Sequence, residues 1–128
     1  MSYTFNKIIK GNFDEVKERV IETLKEEKFG VITEINVQAT MKEKLDKDMH
    51  RYEILGACNP GYAFKAINAD EDMGAFLPCN VTLSEKNEGE VKVSIVDPIA
   101  MISVNNNIEI SEFATEVSQA MLRVHEKL

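Results

Sequence analysis

The sequence predicts an α+β fold: about five mostly antiparallel strands, two long helices near the N- and C-termini on one face of the sheet, and two short helices. Three observations predict it. Apolar residues recur at helical spacing in two long segments, one towards each end of the chain. Between them, four shorter segments are rich in β-favouring residues. The last two of these alternate apolar and polar residues around a Gly-containing turn, the pattern of a hairpin with one wet side, so the helices belong on the other side.

Taken in order, Tyr3 to Ile9 collects Tyr3, Thr4, Phe5, Ile8 and Ile9 before Gly11 and reads as a strand. Asn12 and Glu15 have the spacing of a capping box, and Phe13, Val16, Val20, Ile21 and Leu24 form an apolar stripe that carries the first long helix to Phe29. Gly30 is expected to end it as a left-handed residue. Val31 to Val37 then reads as a strand with Val31, Ile35 and Val37 on one face and Glu34 and Asn36 on the other.

Thr40 and Glu43 suggest a second capping box opening a short helix with Met41 and Leu45, and the charged run Lys42 to Asp48 reads as a solvated face. Arg51 to Cys58 is the third strand. Asn59 followed by Pro60 matches an N-cap and the first helical position, where a fixed φ is already helical, so a short helix should run from Pro60 to about Ala69. Asn68 to Gly74 is expected to be a loop.

From Leu77 to Ser84, Leu77, Cys79, Val81 and Leu83 alternate with Asn80, Thr82 and Ser84; Lys86 to Gly89 turns the chain, and Val91, Val93 and Ile95 continue the apolar face. Asp97 and Pro98 end that strand, Ile99 to Asn107 is read as an apolar-rich connection, and a sustained stripe from Ile110 to Val124 marks a helix from about Ile108 to Lys127.

At 128 residues, with 44% hydrophobic and 29% charged residues, the chain has the size and composition of one globular domain spanning residues 1–128, with a core that needs no disulfide. The net charge of −7, with lysines interleaved among acids, argues against nucleic acid as a partner. No apolar run reaches the ~20 residues of a membrane span, and the first residues lack a signal-peptide core. A cytoplasmic setting is expected, in which the two cysteines are free thiols.

The candidate site is set by two Cys-Asn dipeptides: Cys58, Asn59 and Pro60 at a strand-to-helix junction, and Cys79 and Asn80 at the start of the next strand. Cys58 precedes a helix N-terminus, where unpaired N–H groups and the helix dipole favour a thiolate; the plain alternative is a small buried residue in a tight junction. Cys79 alternates with core residues. If the third and fourth strands are antiparallel, the two cysteines meet at one edge; a disulfide would need Cα atoms within about 7 Å. Asp97 ends a strand beside a loop and completes the candidate set, although a turn-forming Asp-Pro is the better explanation of it.

Cys58, Cys79, His50 and His125 are the whole Cys and His inventory, without the short spacing of a zinc site, so no metal site is assigned. No Ser-His-Asp order, phosphate-cradling glycine loop or His-Glu-x-x-His stands out, which favours a non-enzymatic role.

Several stretches carry a family resemblance: Phe29-Gly-Val-Ile-Thr-Glu-Ile-Asn-Val37, Lys42-Glu-Lys-Leu45, Ile54-Leu-Gly-Ala-Cys-Asn-Pro60 after Tyr52, Leu77-Pro-Cys-Asn-Val81 and Val93-Ser-Ile-Val-Asp-Pro98. In this order, across nearly the whole chain, they resemble the bacterial and archaeal family known as domain of unknown function 302. Many members have a basic residue after the helix-opening proline, where this chain has Tyr62-Ala-Phe-Lys65. The resemblance implies a small α+β domain that forms a homodimer, and it implies no reaction or cofactor. Two functions follow as expectations. One is a dimeric binding or assembly module that contacts a small molecule or a protein through the polar sheet face or the Met101, Ile102 and Val104 connection. The other is thiol-based redox or metal chemistry at Cys58 and Cys79.

Overall fold

The computed structural model describes residues 2–102 and 107–128. Five strands form one sheet: β1 (Thr4–Lys10), β2 (Gly30–Asn36), β3 (Tyr52–Cys58), β4 (Cys79–Glu85) and β5 (Glu90–Val96). Their order is β1-β5-β4-β3-β2, and every neighbouring pair is antiparallel. Strands β2 to β5 form a meander, and β1 closes onto β5, which puts β1 and β2 on opposite edges. The helix α1 (Phe13–Glu26) spans between those edges. Helix α5 (Ile108–Lys127) lies beside it, and both bury their apolar stripes on one sheet face. There Val16, Val20 and Leu24 of α1 and Val117, Met121 and Val124 of α5 meet Leu55, Val81, Leu83, Val93 and Ile95, most of them fully buried.

The α+β architecture, the antiparallel pairing and the two long terminal helices match the sequence reading. Helix α1 is capped as its sequence implies, with Asn12 Oδ1 accepting from the Asp14 and Glu15 amides. It ends earlier, however, and by another residue. Lys28, not Gly30, takes the left-handed conformation (φ 66°). The Phe29 amide donates to the Leu24 carbonyl and the Lys28 amide to the Lys25 carbonyl, the paired bonds of a Schellman motif. Leu24 and Phe29 are both buried in the core, so the apolar contact that accompanies this motif outweighs the steric cost of a side chain at positive φ. Gly30 is thereby free to join β2, paired with Cys58.

Strand β2 also departs from simple alternation. A bulge between Val31 and Thr33 inserts Ile32 and shifts the pairing. One extra residue reverses every side chain beyond it, so Val31 lies over Ala57 towards the core while Ile35 pairs with Ile54 on the outer face and is exposed. Glu34 turns inward instead, 2.6 Å from Lys17 Nζ on α1. Val37 does not belong to the strand. It opens α2 (Val37–Leu45), where Asn36 Oδ1 accepts from the Ala39 amide at 2.9 Å. Thr40, expected to cap this helix, lies inside it and donates its hydroxyl to the Asn36 carbonyl. Asparagine at the strand end already satisfies the orphan amide, which leaves a later cap nothing to do.

Helix α3 (Pro60–Ala69) has the boundaries its sequence implies. The segment read as a loop after it is a 3-10 turn, Glu71–Phe76, which buries Met73. The connection after β5 begins with a short helix, α4 (Pro98–Ile102): Asp97 Oδ1 accepts from the Ile99 amide, so Asp97 and Pro98 start a helix while ending the strand. Val104 and the side chains of Met101 and Ile102 lie outside the described residues, as does the role read for them. Among the described residues, no helix is long and apolar enough to cross a membrane.

Candidate functional site

The two Cys-Asn dipeptides meet at one end of the sheet. Strand β3 leads into Asn59, which has extended backbone, and Asn59 Oδ1 accepts from the Tyr62 amide at 3.3 Å as Pro60 takes the first position of α3. Because β3 and β4 are antiparallel, Ala57 pairs with Cys79, and Cys58 stands one residue further along. Both cysteines are free thiols; Cys79 is buried and Cys58 half-buried. Removing the cap by Asn59→Ala is expected to lower stability by about 1 kcal/mol, read as a shift in the denaturant midpoint. An unchanged midpoint would mean that α3 does not depend on this residue.

A cleft opens beside them for a reason visible in the packing. Most buried residues belong to the core between the sheet, α1 and α5. A second, smaller cluster joins α3, the 3-10 turn and α5 through Ala66, Met73, Ile110 and Ala114. The two clusters do not merge, and the space between them is a cavity of ≈ 60 Å³. Cys58, Asn59, Tyr62, Cys79, Phe113 and Val117 stand around it, with mostly apolar neighbours. A cavity holds a water for roughly each 10–15 Å³ of such volume, but water also needs two or more polar partners, and this lining offers few.

The cleft's chemistry is that of an apolar receptor. Burial, with a smaller contribution from neighbouring Cys58, raises the Cys79 thiol to about 11. A thiolate there is disfavoured at neutral pH, so Cys79 is a poor nucleophile and metal ligand. Burial, reinforced by a hydrogen bond to the Glu116 carboxylate, also raises the Tyr62 phenol above its usual value. The Cys79 shift has a stability consequence. Between pH 9 and about 11 the unfolded chain releases a proton that the native chain holds, so stability from this group is intact below pH 9 and falls as pH rises towards 11. The expected slope is roughly 1.4 kcal/mol per pH unit, and Cys79→Ala should abolish it. Urea unfolding at graded alkaline pH reads it directly; equal pH dependence in both proteins would refute it.

The other candidate residues separate. Asn80 pairs with Gly56 and is exposed on the opposite face of the sheet from Cys79, so the second Cys-Asn dipeptide does not repeat the geometry of the first. Asp97 accepts from the Ser118 hydroxyl at 2.8 Å and from the Ile99 amide at 3.1 Å, tying the start of α4 to α5. Its neighbour Pro98, not Asp97, reaches the cleft. His50 Nε2 lies 3.1 Å from Ser84 Oγ, and His125 Nε2 lies 2.8 Å from the Asn6 carbonyl, to which it donates; neither histidine lines the cleft with the cysteines. Among the described residues, no group of three or more His, Cys, Asp or Glu is placed to hold a metal ion.

The sequence reading missed Tyr62, Met73, Phe76 and Phe113 as cleft residues. Phe113 looks like any other member of the α5 stripe, and Phe76 falls in a segment without periodicity. The only available signal was the density of large apolar residues in a region read as a narrow helix and a loop.

This arrangement defines a class: a small α+β domain with a five-stranded antiparallel sheet, two long helices on one face, and an apolar cleft at the end of β3 and β4. The family described as Domain of unknown function DUF302 matches residues 5–128, and the chain belongs to that family. The chain is similar to an uncharacterised conserved DUF302 protein from Bacillus stearothermophilus, known from a crystal structure. The two are 25% identical with a TM-score of 0.90, over 99% of this chain and 98% of that one. No curated protein matches the chain.

Proposed function

We propose that residues 1–128 act as one cytoplasmic, homodimeric module that binds a small molecule in the cleft between the two apolar clusters. The observation that carries this reading is the cleft itself: a cavity of ≈ 60 Å³ with an almost wholly apolar lining, at the junction of three helical segments with the sheet. Apolar concavities with a few convergent polar groups are the usual form of small-molecule sites. Here Asn59 and Tyr62 are those groups. Pairing of two copies rests on the family resemblance; Ile8 and Ile35, exposed on the outer sheet face, lie on opposite edge strands and make no continuous apolar patch. The net charge of −7 supports a partner other than nucleic acid, and two unbridged thiols support the cytoplasm.

Gel filtration with native mass spectrometry of the whole chain tests the reading. A dimer mass with a retained small molecule is expected, and Ala63→Leu, which fills the cleft from α3, should release that molecule. A strict monomer that carries nothing would overturn it.

The second reading, thiol redox or metal chemistry, has one observation in its favour: Cys58 and Cys79 share the cleft. The raised Cys79 value weighs against it. Iodoacetamide at neutral pH is expected to label Cys58 in the folded protein and Cys79 only after unfolding. Fast native labelling of both would favour thiol chemistry instead.

A further inference from the structure

We infer, building on the cleft as a small-molecule site, that its ligand is a compact apolar molecule bearing a positive charge: a short amine-bearing amphiphile. Residues 58–76, 97–102 and 107–118 build α3, the 3-10 turn, α4 and the part of α5 that borders the cleft. They contain seven carboxylates and a single base, Lys65. The rest of the chain is nearly balanced, with fifteen acids against fourteen bases. Almost all of the net charge of −7 therefore sits in the segments around one apolar cavity.

Several of these carboxylates adjoin residues that line the cleft. Glu109 and Glu116 stand one turn before and after Phe113, which lines the cleft, and both are exposed. Glu116 also bonds the Tyr62 hydroxyl at the cleft wall. Glu71 and Asp72, likewise exposed, begin the turn that brings Met73 and Phe76 to the cavity. An apolar, low-dielectric opening with a mostly acidic rim focuses the field, drawing cations to the mouth and repelling anions, with Lys65 and Arg123 offsetting only part of it. A carboxylate-headed ligand such as a fatty acid is disfavoured on that ground.

The rim already holds an ammonium group in this manner. Lys65 Nζ lies 5.9 Å from the centroid of the Phe113 ring, the arrangement of a cation over an aromatic face. A ligand's ammonium group would displace Lys65 from this ring or sit beside it, within reach of the field of the Glu109 and Glu116 carboxylates, while its apolar body enters the cavity that Cys58, Cys79 and Val117 line. The cavity admits a body of a few carbons.

The test compares three six-carbon probes that share a tail and differ in charge: hexylammonium, hexanol and hexanoate, titrated into the whole chain and followed by protein NMR. Hexylammonium is expected to perturb cleft residues with a Kd at least about tenfold below that of hexanoate, with hexanol between them. That contrast should shrink at high salt, as screening over about 10 Å requires. In the Glu109→Gln, Glu116→Gln double variant, hexylammonium should bind about fivefold more weakly, as two carboxylates at about 8 Å in water imply, with hexanol unchanged. Equal or tighter binding of hexanoate would overturn the charge inference and leave the cleft reading standing. If none of the probes perturbs cleft residues, both fail.

Discussion

Replacing Glu53 by alanine is expected to lower stability by about 3 kcal/mol, the low end of what breaking a buried ion pair costs. Glu53 is only 4% exposed. It lies on the core side of β3, where its carboxylate accepts from Lys17 Nζ at 2.8 Å and from Arg51 Nε and Nη2 at 3.1 and 3.0 Å. Removing it leaves two cations facing each other across a half-buried site. They are not left wholly unpaired, because Lys17 also meets Glu34 and Arg51 also meets Asp14 and lies 4.0 Å over the Phe13 ring. That is why the cost falls at the low end. The Arg51 guanidinium correspondingly holds the Asp14 carboxyl below its usual range. Glu53→Gln keeps an acceptor and should lose less than Glu53→Ala. Chemical denaturation of the three proteins at neutral pH decides the matter; a loss below about 1 kcal/mol for the alanine variant would show that the outer carboxylates suffice.

Gly56→Ala should destabilise the protein by about 2 kcal/mol through overpacking. A Cβ at this position on β3 would meet the Thr33 hydroxyl at the β2 bulge and would lie 2.6 Å from Pro78 Cγ. Thr33 is exposed and can turn its hydroxyl aside, whereas the proline ring has no such freedom. Part of the loss should therefore disappear in Thr33→Ala, Gly56→Ala, and the remainder reports the Pro78 contact; the double-mutant cycle separates the two. A variant as stable as the parent would mean that β4 shifts away from β3 at low cost. Unlike the cap and thiol variants, this one touches the outer face, so it should leave the cleft and any ligand binding unaltered.

Both residues show what kind of information the sequence carries. Glu53 sits in an apolar strand without any spacing that marks it as a core residue, and Gly56 sits in Gly-Ala-Cys without a turn nearby. Much of their importance comes from neighbours 22 to 36 residues away, brought in by strand register and by the packing of α1 on the sheet. Where the determinant is local, the reading holds: Asn12 and Asn59 cap the helices they precede, Pro60 opens α3, and the period of the α5 stripe fixes which side of that helix is buried. Where two local signals compete, it fails. Gly30 against Lys28, and Thr40 against Asn36, were decided by which arrangement let a buried contact form or satisfied an orphan amide first.

The candidate site divides along the same line. That Cys58 ends a strand and Cys79 begins one follows from periodicity, and so does the inward direction of Cys79. That they share one cleft depends on the antiparallel pairing of β3 with β4, and that a cleft exists at all depends on two apolar clusters failing to merge. Sequence by itself therefore determined the element types, the caps and the apolar faces, because backbone hydrogen bonding and side-chain period act over a few residues. Only the tertiary structure decided the bulge that turns Ile35 outward, the ion cluster around Glu53, and the cavity beside the two thiols. These depend on which distant side chains fill the same volume, and packing is a property of the assembled layers that no single segment encodes.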